Sequence, residues 1–205
     1  RTYIYIRGEY AWIVDILEQA IAEANANGWL GKNIPGTGFD CQIYVQRGAG
    51  AYICGEETAL MASIEGRRGV PRPRPPYPAE SGLWGKPTLI NNVETLYTVP
   101  IICEMGGAEY AKVGVEGSTG TKMISISGNV QRPGNYEIEL GTPARELIYG
   151  LAGGPEDGRE IKFWFPGGSS SPVLLPEDLD ITYDFNTIAK AGSMLGSGAI
   201  IVVDD

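Results

Sequence analysis

Polar and apolar positions follow two periods along this chain. Thr2 to Ile6 alternates and is rich in β-formers, which predicts a strand. Beyond Gly8 the period lengthens. Tyr10, Ile13, Val14, Leu17 and Ile21 fall on one helical face, with Ala20 and Ala24 beside it. Glu9 and Asp15 suit the positive end of that helix, and Gly28 ends it. Residues 31–40 read as a loop, 42–46 as the next strand, and Glu56 to Ile64 as a helix. Strand, helix and strand in this order predict parallel pairing through a right-handed crossover. Asn91-Asn92 then provides a helix N-cap ahead of Val93, Leu96, Tyr97 and Ile101. Pro100 is predicted to kink or end that helix.

A boundary is predicted near residues 106–120. Gly106-Gly107 closes the helix, and Gly114, Gly117, Ser118 and Gly120 predict a flexible joining segment. A second pattern follows. Lys122 to Ser127 and Tyr136 to Leu140 read as strands around the turn Arg132-Pro133-Gly134-Asn135. Thr142 is predicted to cap a helix with Pro143 at its first position; Ala144, Leu147, Ile148 and Leu151 form its face, and Gly153 closes it. Ile161 to Phe165 and Ala199 to Val203 are further strands. The order β-β-α-β looks like a ubiquitin-like β-grasp domain.

Charge narrows the function classes. The chain has 205 residues, 25 acids against 16 bases and a formal charge of −9, which argues against nucleic-acid binding. Against that background Arg67, Arg68, Arg72 and Arg74 fall close together, either as a solvated loop or as a positive rim for a pyrophosphate. Pro71, Pro73, Pro75, Pro76 and Pro78 predict a stiff, polyproline-like segment, and its Tyr77 could pack inward or cover a flat heterocycle. There is no histidine, so imidazole chemistry and histidine-held metals are excluded. Cys41, Cys54 and Cys103 are widely spaced and form no C-x-x-C, so no metal or iron–sulfur site is predicted. Such cysteines suit a reducing compartment, with Cys54 a buried filler. No run reaches the ~20 apolar residues of a membrane span, so no direct membrane insertion is expected.

The candidate chemistry sits between the second strand and the second helix, in Gln46-Arg47-Gly48-Ala49-Gly50-Ala51-Tyr52-Ile53-Cys54-Gly55-Glu56-Glu57-Thr58. A glycine-rich turn after a strand lets backbone N–H groups approach a ligand closely. The spacing of Gly48, Gly50 and Gly55 is neither G-x-G-x-x-G nor a P-loop. A phosphate cradle and an ordinary strand-to-helix turn both fit it. Two adjacent carboxylates make the helix start a poor seat for a free phosphate, so Glu56 and Glu57 suit hydroxyl, amide or ring N–H partners.

Gly48 to Leu60 closely resembles the NADH- and FMN-binding flavoprotein subunit of respiratory complex I. Glu65-Gly66-Arg67-Arg68, Pro75-Pro76-Tyr77-Pro78-Ala79, Ser81 to Thr88 and Ile90 to Leu96 follow in that family's order. So do Ile126-Ser127-Gly128, Pro166 to Ser170 and Gly192 to Gly198, from end to end in one register. Flavoprotein subunits of NAD-linked hydrogenases and formate dehydrogenases share these motifs. The Gly-Arg-Gly-Gly flavin loop and the C-x-x-C-x-x-C cluster of family members are not in this sequence. The chain therefore reads as an internal piece, about half of a family member, whose own activity is expected to be low.

The resemblance implies an α/β fold: an incomplete parallel-sheet FMN/NADH-binding domain over 1–112, then an α+β ubiquitin-like β-grasp (SLBB) domain over 120–205. It implies oxidation of NADH, with a hydride passing to FMN and electrons then moving through iron–sulfur clusters to a quinone. The flavin supplies the chemistry and the protein the positioning, so no catalytic side chain is implied. Gly48, Gly50 and Gly55 would let the backbone reach the flavin, and Tyr52 would lie against the cofactors. Glu56 and Glu57 would face flavin and nicotinamide groups. Asn91, Asn92 and Thr95, beside Ile90, would hold the ribityl and phosphate end. Arg74 and Tyr77 would line the dinucleotide side. The four-iron four-sulfur cluster belongs to the full-length protein only. Implied partners are other peripheral-arm subunits, notably the two-iron two-sulfur subunit. Implied locations are the cytoplasmic face of the bacterial inner membrane or the mitochondrial matrix side. A non-catalytic β-grasp interaction module is the competing reading.

Overall fold

The computed structural model describes all 205 residues. It is a mixed α/β structure with small sheets, and it divides into two compact units, Arg1–Ile90 and Asn91–Asp205.

In the first unit, β1 (Thr2–Ile6) is followed by a 3-10 turn, Gly8–Tyr10, and by α1 (Ala11–Ala26). The chain returns as β2 (Ile43–Arg47), which pairs parallel with β1 in the register Thr2↔Ile43 to Ile6↔Arg47. α1 turns Ile13, Val14, Leu17 and Ile21 inward only partly; none of its residues is buried, and Tyr10, from the predicted face, is exposed. After the glycine-rich turn come a 3-10 turn, Tyr52–Gly55, and α2 (Glu57–Ile64). The buried core of this unit is small: Cys54, Thr58, Ala59, Met61 and Leu83. Tyr3 stacks on Tyr44 at 5.4 Å and meets the edge of Trp84 at 5.5 Å.

The proline segment is not a regular polyproline helix. It carries cis peptide bonds at Arg74-Pro75 and Pro75-Pro76 and ends in a helical turn, α3 (Pro78–Ser81).

The second unit begins with α4 (Val93–Met105), capped by Asn92 as predicted. Pro100 lies inside it without ending it; a proline there withdraws one N–H from the ladder, and the turns on either side carry the helix on to Met105. Residues 106–120 are not an open linker either. They form α5 (Gly107–Tyr110) and a small antiparallel hairpin, β3 (Gly114–Val115) with β4 (Ser118–Thr119), closed by Gly120 N–H to Val113 O at 2.7 Å. The glycines there supply the positive φ values of tight turns rather than slack.

β5 (Thr121–Gly128) and β6 (Gly134–Glu139) pair antiparallel; β7 is Ile161–Phe165, α6 is Phe185–Lys190 and β8 is Ala199–Asp204. β8 runs parallel to β5 and antiparallel to β7, giving the order β6-β5-β8-β7. Ile124, Ile126, Ile138, Ile200 and Val202 point from this sheet into a core completed by Trp164, Tyr183, Leu147 and Ile148. The helix of Leu147 and Ile148 is wound as a π-helix over Glu146–Leu151. Thr142 does not cap it. Its hydroxyl donates to Glu139 O at 2.8 Å, because Pro143 is engaged in a bridge to Thr182 and the helix starts later. No helix is long and apolar enough to cross a membrane.

Candidate functional site

β1 and β2 end side by side, with Gly8 two residues beyond the first and Gly48 directly after the second. Gly48 N–H donates to Ile6 O at 2.7 Å, which closes the sheet. A Cβ on Gly8 would meet Gly48 O at 2.8 Å and Gly50 N at 3.0 Å, so the two loops touch backbone to backbone. Gly50 has φ +83°, a conformation glycine adopts without strain. A shallow depression of about 330 Å³ results, lined by Gly8, Glu9, Arg47, Gly48, Ala49 and Gly50. It lies outside the carboxyl ends of parallel strands, where open α/β sheets bind ligands.

Charge in this region is mixed. Arg7 grips Glu9 through both carboxylate oxygens, at 3.0 and 3.1 Å, and holds its carboxyl below the ordinary glutamate range. Glu9 therefore stays ionised in a depression that Arg47 also lines. Tyr52 stands at the edge of the turn with 84% of its surface exposed. Gly55 has open space where a side chain would be.

Glu56 is not the first helical residue; it is the N-cap of α2. Its Oε2 accepts from Thr58 N–H at 3.0 Å, Ala59 N–H at 2.9 Å and the Thr58 hydroxyl. Burial alone would push this carboxyl up. The bonds from Thr58 and Ala59, with the charge of Arg74, outweigh burial and hold it below the ordinary range. That oxygen is fully engaged within the chain. The Thr58 hydroxyl in turn accepts from Arg72 N–H at 2.9 Å, which ties the arginine segment to α2.

Glu57 and Arg74 form an ion pair at 2.6 Å, and the second Arg74 nitrogen lies 3.4 Å from Glu56 Oε1. Arg74 thus bridges the paired acids and offsets one of their two charges. Arg67 lies 3.6 Å from Glu65 and is mostly exposed. Tyr77 is half exposed, with its backbone N–H on Glu80.

The remaining sequence-predicted residues sit around the unit boundary. Ile90 is half-buried. In the second unit Asn92 Oδ1 accepts from Glu94 N–H at 2.8 Å, which leaves the exposed Asn91 side chain outside the cap. Thr95 is exposed one turn on. Within the first unit, therefore, the structure gathers Gly48 with Gly50, and Glu56 with Glu57 and Arg74. Within the second it places Asn91 and Asn92 directly ahead of α4 and Thr95 in its first turn.

Sequence reasoning missed Gly8, Glu9 and Arg47 as lining residues. The available signal was a glycine at the same level after each of two predicted parallel strands. It also missed Glu94, which has no local signature.

Residues 1–101 match the family described as the Nuo51 FMN-binding domain, and residues 123–173 match the SLBB domain. The chain is 50% identical over 203 residues to the NADH-quinone oxidoreductase F subunit 2 of Rhizobium meliloti (strain 1021), covering 99% of the chain and 48% of that relative. It is 50% identical over 204 residues to the NADH-quinone oxidoreductase F subunit of Escherichia coli (strain K12), covering 100% of the chain and 46% of that relative. The chain spans about half the length of the curated relatives it matches. Among solved structures, the NAD+-reducing [NiFe]-hydrogenase in its H2-reduced state is similar at TM-score 0.83 and 34% identity, over 98% of this chain and 33% of that one.

Proposed function

From a chain that belongs to the family of the NADH-quinone oxidoreductase F subunit, we propose a part in NADH oxidation: its residues grip FMN and admit NADH. The observation that carries this reading is the glycine-lined depression at the carboxyl ends of β1 and β2, where Gly50 leaves backbone exposed.

The residues fit a flavin. A flat ring needs close approach to backbone, which exposed Gly50 allows; Gly8 and Gly48 serve it indirectly, because their Cβ positions are taken by Gly48 O and the Tyr5 phenol and only glycine lets the two loops close. The acids Glu9, Glu56 and Glu57 disfavour a phosphate at this end but suit a neutral ring with N–H groups. Glu57 is the freer acceptor of the pair, because Glu56 Oε2 caps α2. Tyr52 and Gly55 line the flavin side, and Arg74 and Tyr77 the dinucleotide side. Asn91, Asn92 and Thr95, next to Ile90, take the ribityl-phosphate end at a helix N-terminus. Bound FMN supplies hydride acceptance and one-electron release. The chain supplies position and charge, with no proton transfer from a side chain.

In this reading residues 120–205, within the second unit, are a β-grasp domain, supported by the β6-β5-β8-β7 order and the SLBB match. The domain boundaries are 1–112 and 120–205. The assembly is complex I, with the two-iron two-sulfur subunit as neighbour, at the cytoplasmic face of the bacterial inner membrane or the matrix side. A hydrogenase flavoprotein is the second reading, favoured by the structural similarity; the identity of 50% against 34% supports the first.

A depression of 330 Å³ is at the small end of ligand sites, so the grip of the chain alone is weak. FMN titrated with the chain is expected to lose fluorescence saturably with Kd on the order of 100 µM, about −5.5 kcal/mol. Absence of saturable quenching overturns the reading.

A further inference from the structure

α4 buries none of its own residues, so an apolar face does not fix it within the second unit. One carboxylate does. Glu94, the second residue of α4, accepts from Lys122 Nζ through Oε2 and from Met123 N–H through Oε1, both at 2.7 Å. Lys122 is mostly withdrawn from solvent, its side chain 16% exposed. Its stem crosses Gly198, where a Cβ would stand 3.3 Å from Lys122 Cε.

The second bond completes a ladder. The register of β5 with β8 begins at Ser125↔Ala199, and Ser125 N–H donates to Gly198 O at 2.9 Å. Met123 N–H points to the same side two residues earlier, before β8 has begun. Glu94 supplies the acceptor that the sheet lacks there. Removing it would leave a strand N–H and a half-buried ammonium unpaired at once.

Asn91 and Asn92 lead directly into the turn that Glu94 anchors, and Thr95 lies on it. We propose that Glu94 is the positioning residue of that turn. Through Lys122 and Met123 it fixes how α4 is rotated, and hence where the three polar side chains stand. This rests on the reading of those side chains as the ribityl-phosphate seat.

The test uses Glu94→Ala and Lys122→Met in the chain, with Asn91→Ala as the arm for the seat itself. Amide exchange is followed at Met123, Leu96 and Ser125, and affinity is measured for FMN and for riboflavin, which lacks the phosphate. Glu94→Ala is expected to speed exchange at Met123 and Leu96 at least tenfold and leave Ser125 protected. Lys122→Met is expected to do so at Leu96. Both should collapse the FMN-to-riboflavin affinity ratio about fivefold or more, which a merely structural loosening would not do. Unchanged exchange at Leu96 in both variants overturns the proposal. So does faster exchange with an intact ratio, provided Asn91→Ala lowers the ratio. If Asn91→Ala leaves the ratio intact, the seat reading itself fails and the proposal fails with it.

Discussion

The Cα of Gly48 lies directly against the phenol of Tyr5. Any Cβ there would collide with Tyr5 Oη and stand 2.8 Å from Cζ. The phenol cannot easily retreat, because its hydroxyl is hydrogen-bonded to Ser63 Oγ at 2.9 Å. Gly48→Ala is therefore expected to destabilise the first unit by about 1–3 kcal/mol. Gly55→Ala, with open space at its Cα and no positive φ, should change stability by less than about 0.5 kcal/mol. Urea unfolding of the two variants decides this, and equal midpoints would refute it.

Glu56 and Glu57 are neighbours with different structural roles. Glu56→Ala removes the N-cap of α2 and is expected to cost about 1 kcal/mol or more. Glu57→Ala removes a partly exposed ion pair and should cost less than about 1 kcal/mol. Thermal melting ranks the two, and a larger loss for Glu57→Ala would contradict the capping assignment.

Acid should weaken the second unit through Asp184. This residue is buried and caps α6, with Thr187 N–H on Oδ1 at 2.8 Å and the Thr182 hydroxyl on Oδ2 at 2.7 Å. Burial would raise its carboxyl; the bonds from Thr182, Thr187 and Asn186 outweigh burial and hold it below the ordinary range. A depressed folded-state value means the stabilisation is complete above the unfolded value of about 3.9 and is lost as pH falls through the folded one. Asp184→Asn keeps a good N-cap but cannot titrate. Its melting temperature should fall less steeply between neutral and strongly acid pH. Parallel pH profiles would exclude Asp184 as the source.

Tyr52 separates binding from folding. At 84% exposure its ring contributes nothing to the core, so Tyr52→Ala should melt like the parent. Loss of an aromatic face against FMN is worth about 1 kcal/mol, roughly a fivefold weaker grip in fluorescence titration. A variant that binds FMN as the parent does would remove Tyr52 from the site.

Local periodicity made much of the fold legible. β1, α1, β2 and the strands of the second unit announce themselves through alternation or a helical face, as Ile124, Ile126, Ile200 and Val202 illustrate by pointing inward from β5 and β8. Asn92 was legible because capping is a local act. Glu56 was misread by one residue, and that residue changes a free carboxylate into an engaged one. The glycines of 106–120 spelled flexibility, yet the same positive φ values serve a compact hairpin. The π-helix over Glu146–Leu151 leaves no imprint that a residue pattern distinguishes from an α-helix. Gly8 was visible as a strand breaker, but its contact with Gly48 was not, because that contact spans the crossover.

The tie from Glu94 to Lys122 bears on how such chains could be dissected. The Nuo51 FMN-binding match ends at residue 101, whereas compactness divides the chain after Ile90. Severing the polypeptide at the former place would strand Glu94 in water and strip β5 of its borrowed acceptor. Inheritance and packing draw their borders at different residues here. An SLBB module exchanged between relatives would have to travel with the preceding helix to arrive intact.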